Sequence, residues 1–395
     1  MNVGGTGWAE RRRALRVDTE RRVRALQAVM RERGLGAALF TATAGPGLFG
    51  VAKYFTNLVL WYGRAYVVIG ARQPEPVIVH WSSFQSEWNR QEATTERIET
   101  PDVSVALDSP VAFRRALEIA MDLAGADRRL GVEHVAQTWA AGEWEEFRQR
   151  LPGVETVDLS RSIDAIRCVK SPFELDEIRL LGELMTQAME RFARTARPGL
   201  PVWPAAAAAE EVLKAEGCLW GRTKASLNQR PATLPPPLDR RFQADDIVLF
   251  EIDYAGPFGY WYEMTALFSF APLPSAVQAR VRLYEDVIRL IAGACRPGTR
   301  VGDLASLADE GFRARGQPVV GMHLPHCHSI GLDETDGPNS SASPDDRLEA
   351  DMVLAIHPGS LFPGGTAFLM SDLFRVTSEG GERLSGKTWL HRVIS

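Results

Sequence analysis

Apolar positions along the first thirty residues follow a helical repeat. Val23, Leu26, Val29 and Met30 fall on one face, Asp18 is placed to cap the start, and Gly34 is placed to stop the end. The spacing predicts a first helix there, preceded by a flexible, arginine-containing arm over 1–20. Short apolar runs bounded by glycine, proline or charge follow: GAALF at 36–40, AYVVIG at 65–70 and PVIVH at 76–80. Runs of that length and setting read as buried strands. Helical patterns around 111–124 and 141–150 alternate with the strand RLGVE, so an α/β domain is expected over 21–163.

From 164 onward the order of elements changes. DAIRCVKSPFELDEIRLLGELMTQAMERFAR at 164–194 reads as an extended run, a Ser-Pro stop and a long amphipathic helix opened by acidic residues, which marks a domain junction. A second helix near 204–216 and the proline-rich PATLPPP at 231–237 come next. IVLFEIDY (247–254), the turn AGPFG and YWYEMTALFSF (260–270) then read as one hairpin. DMVLAIHP and FLMSDLFRVT read as another, with helices near 276–295 and 302–315 between the two hairpins. Helices followed by paired strands are the α+β pattern, helices packed over an antiparallel sheet, here over 164–395.

Composition narrows the function classes. A chain of 395 residues with 45% hydrophobic and 24% charged residues is ordinary for a globular protein of two domains. A net charge of −5 gives no basic face of the kind nucleic acid requires, so no nucleic-acid partner is expected. The longest apolar runs, such as Ala205 to Ala209, fall far short of the roughly 20 residues that span a bilayer, so no membrane partner is expected either. The opening residues lack an apolar signal core. Cys168, Cys218, Cys295 and Cys327 are widely spaced without a CxxC, which predicts reduced thiols and a cytoplasmic location.

Several segments in one order carry a family likeness. DAIRCVKSPFELDEIR, QADDIVLFEIDYAGPFGYWYEMT, HSIGLDETDGP, LEADMVLAIHPG and LMSDLFRVTSEGGERLS are similar to the junction, first metal hairpin, histidine strand and last two sheet segments of the creatinase, prolidase and methionine aminopeptidase family. The likeness covers about 170–395 well, and the first domain resembles theirs in element order. It implies a pita-bread C-terminal domain, helices over a curved antiparallel sheet. It also implies a homodimer acting on a small-molecule substrate.

Peptidases of that family hold two metal ions with two aspartates, a histidine and two glutamates. By the resemblance, the first aspartate's place falls at Ile252 or Asp253, because this hairpin is one residue shorter. Alternation puts Asp253 and Glu251 on one strand face and Ile252 on the other. The second aspartate's place is Glu263, the histidine's is His328, and the two glutamates' places hold His357 and Ser371. PATLPPP holds no counterpart of the family's upstream histidine. Two divalent ions need anionic ligands to offset their charge, and an imidazole and a hydroxyl in place of two carboxylates remove two of those charges. The dinuclear peptidase site is therefore expected to be lost.

Three readings of the remaining residues follow. The first is metal-independent C–N bond hydrolysis, as in creatinase, with no cofactor. In it His328 and His357 serve as general acid and base, Glu263 orients an imidazole, and Glu251, Asp253, Glu334 and Ser371 bind substrate. The second keeps one divalent ion, Zn or Fe, on Glu263, His328 and His357, with Asp253 as a possible fourth ligand. It serves a hydrolase, or a lyase resembling the family's dimethylsulfoniopropionate lyases with Glu334 or Asp333 as base. The third is a catalytically dead binding protein. Against it stands the convergence of Glu251, Asp253, Glu263, His328 and His357 in one concavity, since unpaired buried charges cost several kcal/mol each, on the order of what a decayed pocket would shed.

Nearby residues carry plainer expectations. His326 shares a face with His328 but reads as structural, His323 lies on the opposite face, and Cys327 points away from its histidine neighbours. Tyr254, Tyr260, Trp261 and Tyr262 read as core strand residues. Arg375 is expected to pair with Asp372 or Glu382 at the surface. Trp61, Tyr62 and Arg64 of the first domain are candidates for a lid.

Overall fold

The structure, a computed structural model, describes residues 7–45, 49–101, 110–227, 235–237, 239–317, 326–339, 341–362, 366–386 and 390–394. His323 and most of PATLPPP lie outside the described residues. The chain forms two compact units, one from Thr6–Arg167 with Leu332–Glu334, the other chiefly from Cys168–Gly331 with Thr335–Ser395. Among the described residues no helix is long and apolar enough to cross a membrane. All four cysteines are buried thiols rather than disulfides.

The first unit runs α1 (Trp8–Glu32), β1 (Ala37–Thr43), α2 (Gly50–Thr56), β2 (Arg64–Gly70), β3 (Val77–His80), α3 (Ser83–Glu92), β4 (Ile98–Glu99), α4 (Pro110–Ala124), β5 (Arg129–Val132), α5 (Val135–Thr138), α6 (Ala141–Arg150), β6 (Glu155–Asp158) and α7 (Ser160–Cys168). Its six strands form one sheet in the order β4-β3-β2-β1-β5-β6, with β1 antiparallel to β2 and parallel to β5. Leu39, Val68, Phe113, Leu117 and Phe147 close a core between this sheet and its helices.

Three expectations for this region are corrected. The helix begins at Trp8, so the stretch read as an arm is helical from there on. Asp18 is no cap: it sits buried in mid-helix, paired to Arg21 at 2.9 Å and Arg22 at 2.6 Å. Such i,i+3 and i,i+4 pairs satisfy an aspartate within a helix and remove the reason to start one there. The run DAIRCV is likewise helical in α7, since Ile163, Arg167 and Cys168 bury together at helical spacing.

The second unit runs α8 (Pro172–Thr195), α9 (Val202–Ala215), β7 (Trp220–Leu227), β8 (Ile247–Ala255), β9 (Trp261–Ser269), α10 (Ser275–Ala294), α11 (Val301–Arg313), β10 (Cys327–Ser329), β11 (Val353–Ile356), β12 (Gly359–Phe362), β13 (Thr366–Leu369), β14 (Asp372–Thr377), β15 (Gly380–Arg383) and β16 (His391–Val393). The Ser-Pro signal is a capping box: Glu174 N–H donates to Ser171 Oγ at 3.2 Å, and Ser171 N–H donates to Glu174 Oε2 at 3.0 Å. Two four-stranded sheets, β16-β9-β8-β7 and β10-β11-β14-β15, are joined where Thr265 N–H donates to the Ser371 carbonyl at 3.1 Å.

Strand alternation then sorts the side chains. Phe250 on one face of β8 stacks on Phe192 of α8 with ring centroids 3.7 Å apart. Leu249 and Leu267 point the other way, into a core shared with Tyr284, Ile291, Phe312, Cys327, Leu354 and Ile356. Cys327 is therefore a packing residue, as its strand position implies.

Candidate functional site

In the β8–β9 hairpin Asp253 lies opposite Glu263, Glu251 opposite Thr265, and Ile252 opposite Met264. Asp253, not Ile252, thus shares a face with Glu263. In the second sheet His328 lies opposite Ala355 of β11, and His357 follows two residues later on the same face. Cys327, Leu354 and Ile356 bury on the other face, which leaves both imidazoles turned to the same side of that sheet.

Glu263, His328 and His357 converge. Their donor atoms lie within 4.8 Å of one another, and each residue is at most 9% exposed. His328 Nε2 stands 3.6 Å from Glu263 Oε2, and His357 Nε2 stands 3.9 Å from Glu263 Oε1. Both gaps are too long for a hydrogen bond. They are close to the separation of about 3 to 3.5 Å between neighbouring ligands bound at 2.0–2.2 Å to one ion. His328 Nδ1 lies 3.0 Å from its acceptor, the Ser329 carbonyl, so a neutral ring keeps its proton there and turns the Nε2 lone pair toward Glu263. Metal-binding histidines are held in the same manner.

The electrostatics fit a carboxylate beside a neutral imidazole. Burial pushes His357 down to about 4, against the attraction of Glu263, so its ring is neutral near pH 7. Burial works to raise Glu263, but His357, His328 and Lys224 outweigh it and hold the carboxyl low, at about 2. Neutral imidazole and ionised carboxylate are the ligand forms a divalent ion takes. The donor set therefore fits one such ion.

The rest of the acidic face is already occupied. Lys224 of β7 lies opposite Glu251, and its Nζ contacts Glu251 Oε1 and stands 2.8 Å from Asp253 Oδ2. Arg222 Nε reaches the same Asp253 oxygen at 3.3 Å. The Thr265 hydroxyl lies 3.0 Å from Glu251 Oε2, to which it donates, and 2.8 Å from Ser371 Oγ. Burial raises both Glu251 and Asp253, with Lys224 opposing. Asp253 Oδ1 is buried without a hydrogen-bond partner, as is His357 Nδ1.

The residues named from sequence thus separate. Glu263, His328 and His357 form one group, while Glu251, Asp253 and Ser371 form an adjoining network around Lys224 and Thr265. Glu334 lies in Leu332–Glu334, which clusters with the first unit, outside the three-residue group. Asp333 is paired to Arg167 at 2.7 Å. Lys224, Arg222 and Thr265 were not anticipated. The alternation of Arg222 and Lys224 just ahead of an acidic hairpin was the available signal.

Neighbouring residues take structural roles. His326 Nε2 lies 3.2 Å from Asp309 Oδ1, and its carbonyl accepts from His357 N–H at 3.0 Å. Tyr262 turns away from Glu263 and donates to Asp372 at 2.8 Å. Arg375 pairs with Asp351 at 2.6 Å and Glu382 at 3.1 Å, while Asp372 is held by Arg383. In the first unit Trp61 is exposed, but Arg64 is anchored to Glu143 at 2.6 Å and is no free lid residue.

The chain belongs to metallopeptidase family M24, whose family model matches residues 176–378. The creatinase/prolidase N-terminal domain matches residues 22–169. An uncharacterized peptidase of Staphylococcus saprophyticus is 25% identical over 243 residues, 58% of this chain and 66% of that protein. One of Staphylococcus aureus is 26% identical over 239 residues, 58% of this chain and 65% of that protein. The match thus spans just under two thirds of these relatives' length.

Solved structures agree on the fold. The X-Pro aminopeptidase of Thermotoga maritima matches with a TM-score of 0.80 at 18% identity, covering 95% of this chain and 99% of that one. The prolidase of Pyrococcus horikoshii gives 0.76 at 18%, covering 93% and 98%. Dipeptidase PepE of Mycobacterium ulcerans gives 0.77 at 20%, covering 96% and 98%. The two-domain creatinase/prolidase fold expected from the sequence is the one present.

Proposed function

We propose that this chain is a single-metal hydrolase of a C–N bond, with Glu263, His328 and His357 holding one divalent ion. The observation that carries the reading is the convergence of those three buried donors at separations too long for hydrogen bonds and near those of ligands around one ion. When bound, the ion supplies Lewis acidity to a carbonyl or to a water. The protein supplies the rest. Ser329 fixes the His328 tautomer, Glu263 contributes the negative charge, and the buried, unpartnered Asp253 Oδ1 is left to accept a hydrogen bond from a substrate N–H. The X-Pro aminopeptidase, prolidase and dipeptidase among the similar structures all name C–N hydrolysis, which supports the bond class.

The substrate in this reading is a small polar molecule rather than a peptide, because a two-ion peptidase centre would need carboxylates where His357 and Ser371 stand. The metal-independent route keeps one supporting observation: the two imidazoles face the two oxygens of a single carboxylate, with ring centroids 5.0 Å apart. His357 is then a weak base, being held near 4. The elimination reading has less support, since Asp333, one of its two candidate bases, is paired to Arg167 at 2.7 Å.

The test is a substrate panel of small amides and Xaa-Pro dipeptides, assayed with chelator-stripped protein and after adding Zn²⁺, Fe²⁺ or Mn²⁺. Turnover of a small amide that appears only with added ion is the expected result. Strong Xaa-Pro cleavage would show that a two-ion peptidase centre assembles after all, and metal-independent turnover would favour the imidazole pair.

A further inference from the structure

We propose that the Lys224 ammonium is a built-in second cation, so that this cradle accepts one divalent ion and is closed to another while Lys224 is present. The proposal rests on the single-metal reading for the first ion only; the place of Lys224 is argued independently.

Three observations carry it. Lys224 is cross-strand from Glu251, and its Nζ contacts Glu251 Oε1 and Asp253 Oδ2, two carboxylates that face the same side as Glu263. An ammonium held between two buried carboxylates takes the place that a bridged metal ion would need. The remaining partners on this side are the partly exposed Arg222 guanidinium, 3.3 Å from Asp253 Oδ2, and two hydroxyls: Thr265, which donates to the second oxygen of Glu251, and Ser371, hydrogen-bonded to Thr265. Hydroxyls offset no metal charge, so this side has no spare anion.

Charge gives the same answer. Glu251, Asp253 and Glu263 carry three negative charges when ionised, which one ammonium and one divalent ion balance; the Arg222 guanidinium is 44% exposed and solvent screens its charge. A second divalent ion beside Lys224 leaves two positive charges in excess inside a buried cradle, where uncompensated charge is costly. Removing the ammonium reverses the preference: Glu251 and Asp253 then lack the cation they share, and their carboxylates are oxygen ligands of the type that hard divalent ions take. Asp253 Oδ1 is buried without a partner and is available as one of them.

The experiment counts ions. Full-length protein is stripped with chelator, and Mn²⁺ bound at saturation is measured by equilibrium dialysis and calorimetry for wild type, Lys224→Met and Lys224→Arg. Wild type and Lys224→Arg are expected to bind one ion per chain and Lys224→Met two, with Mn²⁺ raising the melting temperature of Lys224→Met more than that of wild type. If wild type binds none and Lys224→Met binds one, the ion on Glu263, His328 and His357 is refuted while the role of Lys224 stands. Equal stoichiometry in wild type and Lys224→Met overturns the proposal. Should Lys224→Met fail to fold, the wild type decides: saturation at one ion supports the assignment, and a second ion bound beside an intact Lys224 overturns it.

Discussion

The two halves of the acidic cradle use similar residue types to opposite ends. Around Glu263 three buried donors approach one another without hydrogen-bonding, and each imidazole faces a different oxygen of the carboxylate. Around Lys224 the carboxylates are already answered, by an ammonium, a guanidinium and a hydroxyl pair. On the single-metal reading the first half is completed by an ion; the second is largely complete alone. What separates them is where each charge comes from. β7 brings a lysine to β8, whereas β10 and the end of β11 bring imidazoles to β9.

That contrast can be broken from either side. The largest expected effect is in Lys224→Met, which leaves two buried carboxylates without their cation. In metal-free protein it should cost about 3–5 kcal/mol, read from the urea midpoint, as when one partner of a buried ion pair is removed. A loss below about 1 kcal/mol would place Lys224 in the class of surface ions.

Acid should next discriminate the neutral rings. An unfolded histidine takes its proton near 6.5, whereas native His357 and His80 are held near 4 by burial. Between those values the unfolded chain binds more protons, so stability falls as pH falls. Each ring should contribute about 3 kcal/mol of loss across that window in metal-free protein, from roughly 1.4 kcal/mol per pKa unit. His357→Gln should remove its own share and leave that of His80, in urea titrations at pH 7 and pH 4.5. A pH dependence unchanged by His357→Gln would contradict the buried neutral ring.

For turnover, His357→Ala should lower kcat by about 10² or more while the fold persists. Unchanged turnover would remove His357 from the chemistry. The smallest effect belongs to Arg375→Ala. Its pairs with Asp351 and Glu382 are partly exposed, so it should cost no more than about 1 kcal/mol and leave ion binding untouched.

Much of this was legible in the order of residues. The β8–β9 hairpin announces itself by two apolar runs around AGPFG, and period-two alternation already placed Glu251 and Asp253 together against Ile252. The histidines of the last sheet were placed by the family resemblance, and the structure agrees, since Cys327, Leu354 and Ile356 bury on one face and turn His328 and His357 the other way. Lys224 was not readable in the same manner. WGRTKASL lacks a clear apolar stripe, and its strand status comes from pairing with β8 rather than from its own pattern. Glu334 was not readable either: nearness in sequence to His328 does not fix the direction of a loop, and Leu332–Glu334 clusters with the first unit. The start of α1 was missed because Asp18 is as good a partner for Arg22 inside a helix as it is a cap.

The central claim is that Glu263, His328 and His357 hold one divalent ion. Elemental analysis of wild type and His357→Ala, both purified without chelator and dialysed against metal-free buffer, tests it most directly. One equivalent of a transition metal per wild-type chain, absent from His357→Ala, is the predicted result. A wild-type chain that hydrolyses its substrate while carrying no metal would contradict it.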